Sequence, residues 1–222
     1  MKSMWGSSVE MVADALKCSV KERTEQGNAP GSCGGFPPAF PVAPGSGRVN
    51  FFSPRVSMTT QRIALVGAGL AGCECALQLA RRGFAVTLFE QKPEAYSPAH
   101  SMPQLAELVC SNSLRSDELA SGVGLIKQEL RELGSALMAV ADAVRVPAGK
   151  ALAVDRELFA GKVTALVEAE PNITLVRKAI ADLDDPALEG FERVVISAGP
   201  LASESLSASI ARAVGAEHLY FL

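Results

Sequence analysis

A glycine-rich segment flanked by two apolar runs constrains the fold of this chain most strongly. The segment Gly67-Ala-Gly-Leu-Ala-Gly72 follows the apolar run Ile63–Val66 and opens a stretch with helical spacing over Leu70–Arg82. A second apolar run, Ala85–Phe89, comes directly after this stretch. Strand, helix and strand within about 30 residues predict a βαβ unit with parallel strands and a right-handed crossover. We therefore expect an α/β protein with a Rossmann-like parallel sheet.

The glycine loop has the features that the binding of a diphosphate requires. Gly67 permits a tight turn, Gly69 lets a pyrophosphate approach the backbone, and Gly72 allows close packing of helix and strand. Backbone N–H groups and the positive end of the helix dipole then favour a dinucleotide. Glu90 ends the second strand, about 20 residues after the loop, where its carboxylate can accept the ribose hydroxyls. The cofactor contacts predicted in this unit are Gly67, Ala68, Gly69, Leu70, Ala71, Gly72, Glu90 and Lys92.

The motif has a plainer alternative, and by itself it does not distinguish FAD from NAD. A glycine-rich turn can serve packing alone, and Glu90 would then be an ordinary surface carboxylate. A second indication of a cofactor is the apolar run Val194–Ser197, which ends in Ala198 and Gly199. Small residues at the end of a strand let a ligand approach the backbone, although a buried strand followed by a turn has the same pattern.

The rest of the patterned region predicts further helices and strands. Apolar spacing predicts one long amphipathic helix over Leu125–Val144, with Lys127 on its polar face, and another helix over Leu158–Ala169. Ile173–Val176 and Arg193–Ser197 have the length and composition of strands.

Residues 1–57 differ from the rest of the chain in composition. The segment 27–57 is rich in Gly and Pro, and this composition resists regular structure. Val9–Val20 has the spacing of a short amphipathic helix, and Met58 opens the patterned region. We expect translation from an upstream start codon, with a regulatory or targeting extension as the alternative. The expected organisation is a disordered extension over 1–57, a nucleotide-binding domain over 58–95 and 190–222, and an inserted helical segment over 96–189.

Charge, hydropathy and cysteine content exclude several classes of protein. The net charge of −3 creates no general attraction for nucleic acid, so we expect no DNA partner. No apolar run approaches the ~18 residues of a spanning helix, so we expect no membrane partner. An odd number of cysteines without metal-ligand spacing argues against a disulfide framework or a metal site, and for a reducing compartment, the cytoplasm. They are Cys18, Cys33, Cys73, Cys75 and Cys110. We expect Cys73 and Cys75, on the helix after the glycine loop, to be packing or surface residues.

The segment Glu107-Leu-Val-Cys-Ser-Asn-Ser-Leu-Arg-Ser116 is the most distinctive part of the sequence. Together with the glycine loop, Val146–Gly149, Ala151–Arg156 and Ser197–Pro200, it closely resembles the folate-dependent, FAD-containing tRNA (uracil-5-)-methyltransferases. The resemblance extends from about Thr60 to Leu222. It implies that the Rossmann-like domain binds FAD and carries an inserted α/β segment.

The resemblance also implies a reaction. Enzymes of this family form 5-methyluridine in the T-loop of tRNA and take the carbon from methylenetetrahydrofolate. That carbon needs two more electrons to become a methyl group. Reduced FAD supplies them, and NAD(P)H reduces the flavin again.

The same resemblance assigns roles to particular residues. Cys110 matches a family cysteine implicated in catalysis, as a thiolate that adds to uracil or engages the one-carbon unit. Without the resemblance, a buried and inert thiol is the better interpretation of Cys110. The residues that the resemblance places near the flavin or the substrate are Asn112, Ser113, Arg115, Asp155, Arg156, Ala198 and Gly199.

Two departures from the family pattern bear on the function. The family continues with a second His and a Thr-Asp pair after the position of His100, whereas this chain has Ser101-Met-Pro-Gln104. Members of the family are also longer than the matched segment, which ends at Leu219–Leu222 in the pattern of a strand that enters a core. We therefore expect residues 58–222 to be a C-terminally truncated domain that is poorly folded alone, because a domain cut within its sheet leaves apolar surface and an open edge exposed. We also expect them to be inactive, because tRNA contacts and a second cysteine belong to the missing part.

Three other interpretations remain open. The first is a related FAD-dependent protein that modifies the wobble uridine of tRNA. The second is a general FAD oxidoreductase of the disulfide-reductase kind, which needs a redox-active cysteine pair that the sequence lacks. The third is a non-catalytic FAD-binding remnant.

Overall fold

The computed structural model describes residues 61–215 of the 222-residue chain. The extension expected over 1–57, including its helix at Val9–Val20, lies outside the described residues. The strand expected at Leu219–Leu222 also lies outside them.

A four-stranded parallel sheet carries the glycine loop. Its order is β6-β2-β1-β7, where β1 is Arg62–Val66, β2 is Ala85–Glu90, β6 is Ile173–Arg177 and β7 is Arg193–Ile196. Each neighbouring pair is parallel, which confirms the predicted α/β class and βαβ unit. Val66 is aligned with Phe89 on one side and with Ile196 on the other, so the carboxyl ends of three strands meet at one edge.

Helix α1, Leu70–Arg81, connects β1 to β2 as the sequence predicts. It buries Cys73, Ala76 and Leu77 against the sheet, and these residues recur every three to four positions. The helix ends where Gly83 adopts a φ of 87°, a left-handed conformation that glycine adopts without steric cost.

A second, antiparallel sheet lies between β2 and β6 in the sequence. Its order is β3-β5-β4, formed by Ser113–Ser116, Ala151–Val154 and Arg145–Val146 respectively. This sheet occupies part of the segment 96–189 expected to be an insert, but β6, also within that segment, belongs to the parallel sheet.

The prediction of one long helix over Leu125–Val144 is wrong, because two helices occupy this region. They are α2, Gly122–Glu132, and α3, Ala136–Ala143. Gly134 has a φ of +74°, which ends the first helix, and the Ser135 hydroxyl accepts a hydrogen bond from the Met138 N–H as the N-cap of the second.

The predicted orientation of the α2 part of that helix is also wrong. Ile126 and Leu133 are 57% and 75% exposed, whereas Lys127, expected on the polar face, is 6% exposed. The Lys127 ammonium donates hydrogen bonds to the carbonyl oxygens of Ser116 and Val123, at 2.7 and 3.3 Å. A buried lysine is tolerated where such acceptors replace its hydration.

Two further helices complete the described chain, α4 over Arg156–Ala169 and α5 over Glu204–Val214. One hydrophobic core contains Leu88 of β2, Val140 of α3 and Leu152 of β5 together with Phe159 of α4. The small sheet therefore shares a core with the parallel sheet. The division into a nucleotide-binding domain and an insert stays a prediction.

Candidate functional site

The glycine loop lies where β1 ends and α1 begins. The Gly67 N–H donates to the Phe89 carbonyl at 2.8 Å, and Gly67 has a φ of +102°. A Cβ on Gly67 would lie 2.7 Å from Ala198 Cα, and a Cβ on Gly72 would lie 1.9 Å from the Gly67 carbonyl oxygen. These two positions therefore accept only glycine without rearrangement.

Gly69 is different, because an added Cβ would meet nothing within 4 Å. It is the N-cap residue of α1, has no side-chain cap, and no acidic residue follows in the first turn. The first N–H groups of a helix have no partner within the helix. The start of α1 thus offers uncapped donors and open space to an anion.

Glu90 is buried and holds the loop in place. Its Oε2 accepts a hydrogen bond from the Ala68 N–H at 2.9 Å, and its Oε1 accepts one from the Lys92 N–H at 3.0 Å. A carboxylate has about four acceptor sites, so two remain for a ligand. The alternative interpretation of Glu90 as an ordinary surface carboxylate is wrong, because Glu90 is only 6% exposed.

The glycine loop and Glu90 line a cleft, which we call the first cleft, and Lys92 lines it too. The Lys92 ammonium already has partners within the protein. It forms an ion pair of 3.1 Å with Glu107 and donates to the Gln104 carbonyl at 2.6 Å. Glu107 also accepts hydrogen bonds from the N–H groups of Ser101 and Met102. Burial alone would raise the pKa of Glu107, but these donors and Lys92 outweigh it and hold the pKa below its ordinary value.

The end of β7 closes over the glycine loop. The Ser197 hydroxyl donates to the Gly67 carbonyl at 2.8 Å, and Ala198 lines the same cleft as Gly67 and Glu90. Gly199 has a φ of +66° and begins a short 3-10 helix. Leu70, Ala71, Gly72 and Gly199 do not line the cleft themselves.

Lys178 and His100 also line this first cleft. Lys178 directly follows β6 and pairs with Asp185 at 2.8 Å. Lys178 is not among the site residues predicted from the sequence, although a position just after a parallel strand, at its carboxyl end, is typical of a ligand-binding residue. The His100 ring accepts or donates a hydrogen bond with the Ser97 hydroxyl at 2.6 Å, and burial and nearby Lys92 lower its pKa.

A second cleft lies beside the Cys110 segment. Cys110 is exposed, and the residues on either side of it, Val109 and Ser111, line this cleft. Asn112, Asp155 and Arg156 line it too, as does Glu107, which also lines the first cleft. Glu107 thus lies between the two.

Hydrogen bonds tie these lining residues to the fold. The Arg156 guanidinium donates to the Leu108 carbonyl at 3.3 Å, and the Val154 N–H donates to the Asn112 carbonyl at 2.9 Å. The Asp155 carboxylate caps α4 through the Leu158 N–H at 3.0 Å. Of the predicted site residues, Ser113 and Arg115 lie on β3 and line neither cleft, and Cys110 itself is in the lining of neither.

Two other cysteines are packing residues, as the sequence analysis expects. Cys73 is fully buried, and its burial, with a smaller effect of Glu90, raises the pKa of the thiol to about 12. Burial also raises the pKa of Cys75. Thiols with raised pKa values are poor nucleophiles at neutral pH.

No group of three or more His, Cys, Asp or Glu side chains within residues 61–215 is arranged to hold a metal ion. None of the helices described is both long enough and apolar enough to cross a bilayer.

The parallel sheet, the glycine loop and the buried acid at the end of β2 define an α/β protein of the Rossmann-like class. Residues 62–218 match the family described as glucose inhibited division protein A. This match covers more than half of the chain, and the chain belongs to that family.

Several similar proteins share one name, methylenetetrahydrofolate–tRNA-(uracil-5-)-methyltransferase TrmFO. The protein of that name from Oleidesulfovibrio alaskensis is 71% identical over 158 residues, which cover 71% of this chain and 35% of the relative. The one from Lawsonia intracellularis is 59% identical over 164 residues, or 74% of this chain and 37% of the relative. The chain therefore spans about a third of the length of these relatives.

Likeness to solved structures is weaker. The GidA-related protein from Thermus thermophilus is 20% identical, with a TM-score of 0.30 over 55% of this chain and 40% of that one.

Proposed function

We propose that this chain carries the FAD-binding part of a methylenetetrahydrofolate–tRNA-(uracil-5-)-methyltransferase. The observation that carries the proposal is the 71% identity over 158 residues to a relative of that name. The identity supports a shared reaction, and the described geometry supports a dinucleotide site within it.

The first cleft fits the adenosine diphosphate half of FAD. The uncapped N-terminus of α1 and the open space at Gly69 suit the diphosphate, and the free acceptor sites of Glu90 suit the ribose hydroxyls. Ala198 presents only a methyl group to this cleft. When bound, FAD would supply the electrons that turn the one-carbon unit of methylenetetrahydrofolate into a methyl group, with NAD(P)H as the reductant.

Cys110 is the proposed catalytic residue. Its thiolate would add to C6 of the uracil ring, which makes C5 nucleophilic toward the one-carbon unit. The new bond at C5 would form as the carbon–nitrogen bond to the folate breaks, and loss of the C5 proton with elimination of the thiolate would later restore the ring. The exposure of Cys110 beside the second cleft supports this role, since the thiol is accessible to a base. Asn112, Asp155 and Arg156 would contact the flavin or the uridine there.

The proposed macromolecular substrate is tRNA and the proposed location is the cytoplasm. Most phosphate contacts would come from the part of the relatives that this chain does not match, because its net charge is −3.

A chimeric enzyme tests the proposal independently of the length of the chain. Residues 62–215 would replace the matching segment of the Oleidesulfovibrio alaskensis relative, with that unmodified relative as the positive control. With FAD, NADPH, methylenetetrahydrofolate and a tRNA transcript, the chimera should form 5-methyluridine in the T-loop, and its Cys110→Ala variant should not. Base-resolved mass spectrometry that finds modification at the wobble uridine instead would overturn the proposal. Activity that survives Cys110→Ala would overturn the catalytic role of Cys110.

A further inference from the structure

The Lys92–Glu107 ion pair is the most deeply buried charge pair among the described residues. The two side chains are 4% and 3% exposed, and Nζ lies 3.1 Å from Oε2. Placing two charges in such a position is costly unless other polar groups surround them. Here such groups are present: the Lys92 ammonium also donates to the Gln104 carbonyl, and the Glu107 carboxylate also accepts from the N–H groups of Ser101 and Met102.

The pair joins two segments that the proposed function uses for different purposes. Lys92 stands two residues after Glu90, and its N–H donates to Glu90 Oε1. Glu90 Oε2 in turn accepts from the Ala68 N–H in the glycine loop. Glu107 stands three residues before Cys110. One route of contacts thus runs from the glycine loop to the Cys110 segment.

A second route joins the same two segments through the backbone. The Ala106 N–H donates to the Ala68 carbonyl at 2.9 Å. Ala106 is 1% exposed and has a φ of +51°, a left-handed conformation that a non-glycine residue keeps only where its surroundings impose it. Ala68 therefore contacts Glu90 with its N–H and Ala106 with its carbonyl, which closes a ring through Lys92 and Glu107.

We propose that Lys92 and Glu107 are positioning residues that couple occupancy of the glycine loop to the position of Cys110. This inference rests on the proposed function. A ligand that fixes the Ala68 peptide fixes both ends of the ring, and the Cys110 segment then has fewer accessible positions. By linkage, a correctly placed Cys110 segment favours the same ligand equally.

Alkylation of Cys110 in the full chain measures this coupling. The probe is ADP, which has the diphosphate and ribose but no flavin, and iodoacetamide is the thiol reagent. Peptide mass spectrometry gives the alkylation rate of Cys110, with a free-thiol peptide added to the same solution as the reference. Equilibrium dialysis gives ADP binding. Saturating ADP should slow the alkylation of Cys110 at least about fivefold, the lower range of typical coupling.

Two variants separate positioning from mere stability. The Glu107→Gln variant keeps the shape of the side chain but removes its charge, which leaves the Lys92 charge unpaired. The double variant Lys92→Met/Glu107→Gln removes both charges of the pair. By the same linkage both variants should bind ADP more weakly, so the ADP concentration is raised until dialysis shows saturation of each variant. Saturating ADP should then change the Cys110 rate by less than a third of its wild-type effect. Arg212→Met removes a surface ion pair with Asp182 and should keep the full effect. A purely structural role would lower the melting temperatures of the two variants but leave the ADP effect intact.

Each outcome has one meaning. Failure of the wild type to bind ADP contradicts the proposed nucleotide site itself. Binding without an effect on Cys110 overturns only the coupling, and so does an effect that persists in both variants, since ADP would then obstruct the thiol directly. If Glu107→Gln does not fold, the double variant and the wild-type response decide the matter.

Discussion

The hydroxyl of Ser197 donates a hydrogen bond of 2.8 Å to the carbonyl of Gly67, although the two residues lie far apart in the sequence. It also donates to the Val66 carbonyl at 3.1 Å. This contact holds the end of β7 against the glycine loop, and the space between them is too small for any side chain on Gly67.

Replacing Ser197 by alanine should loosen this contact. Loss of a partly buried hydrogen bond costs about 1 kcal/mol, so the free energy of unfolding should fall by that amount. FAD affinity should fall by a few fold because the loop is less well fixed. Urea unfolding and flavin binding measure the two effects. Ser205→Ala, at an exposed position of α5, is the control, and an equal loss there would contradict the explanation.

Gly72→Ala and Gly161→Ala form a matched pair of helical substitutions. A Cβ on Gly72 would lie 1.9 Å from the Gly67 carbonyl oxygen, whereas one on Gly161 would meet nothing within 4 Å. The first should destabilise the protein by about 3 kcal/mol or more. The second should stabilise it by about 0.5–1 kcal/mol, since alanine favours a helix. Similar effects of the two in urea unfolding would contradict the packing described.

The Glu74 carboxylate should make stability depend on pH. It accepts hydrogen bonds from the Ser135 hydroxyl and the Leu137 N–H, at 2.9 Å each. Burial would raise the pKa of Glu74, but these and other donors outweigh it and lower the pKa.

A lowered folded-state pKa fixes the sign of that dependence. The contribution of Glu74 is complete above the unfolded pKa of about 4.3, and it is lost as the pH falls through the lower folded value. Urea unfolding of Glu74→Gln between pH 7 and pH 3 should therefore show a shallower decline than the wild type. Glu94→Gln, at an exposed position, should decline like the wild type, and the same slope in all three proteins would refute the role of Glu74.

The exposed side of α2 should tolerate polar residues. Ile126 is 57% exposed, so Ile126→Gln should change the free energy of unfolding by no more than about 0.5 kcal/mol. Leu137 of α3 is 9% exposed, and Leu137→Ala should cost about 2–5 kcal/mol. A large decrease in the free energy of unfolding of the Ile126 variant would indicate that Ile126 is buried, as the sequence pattern predicts, and would contradict the observed orientation of α2.

The sequence predicts the βαβ unit well because its residues obey local rules. Apolar runs of strand length, the spacing of Ala76 and Ala80 and the turn at Gly83 agree with one another. The helix break at Gly134–Ser135 could also have been predicted from the sequence, because glycine is favoured just after the end of a helix and serine at the N-cap of the next.

Other features depend on contacts that sequence spacing does not reveal. Lys127 is buried because carbonyl oxygens from Ser116 and Val123 lie within reach of its ammonium. Glu107 meets Lys92 only because the chain between them folds back, and β6 pairs with β2 although the whole segment from Gln91 to Asn172 separates them. The periodicity of a sequence predicts which residues share one face of a helix or strand. It does not predict the contacts with other segments that decide which face is buried.

FAD binding by the chimeric enzyme that carries residues 62–215, and by its Gly69→Asp variant, tests the central claim most directly. Aspartate is a favoured N-cap and has room at this position, so the variant should fold, while its carboxylate repels a diphosphate at the start of α1. Gly122→Asp, at another open position, is the control. We expect equilibrium dialysis to show close to one FAD per unmodified or control chimera and at least about tenfold weaker binding to the Gly69→Asp chimera. Equal binding by all three would contradict the assignment of the glycine loop as the cofactor site.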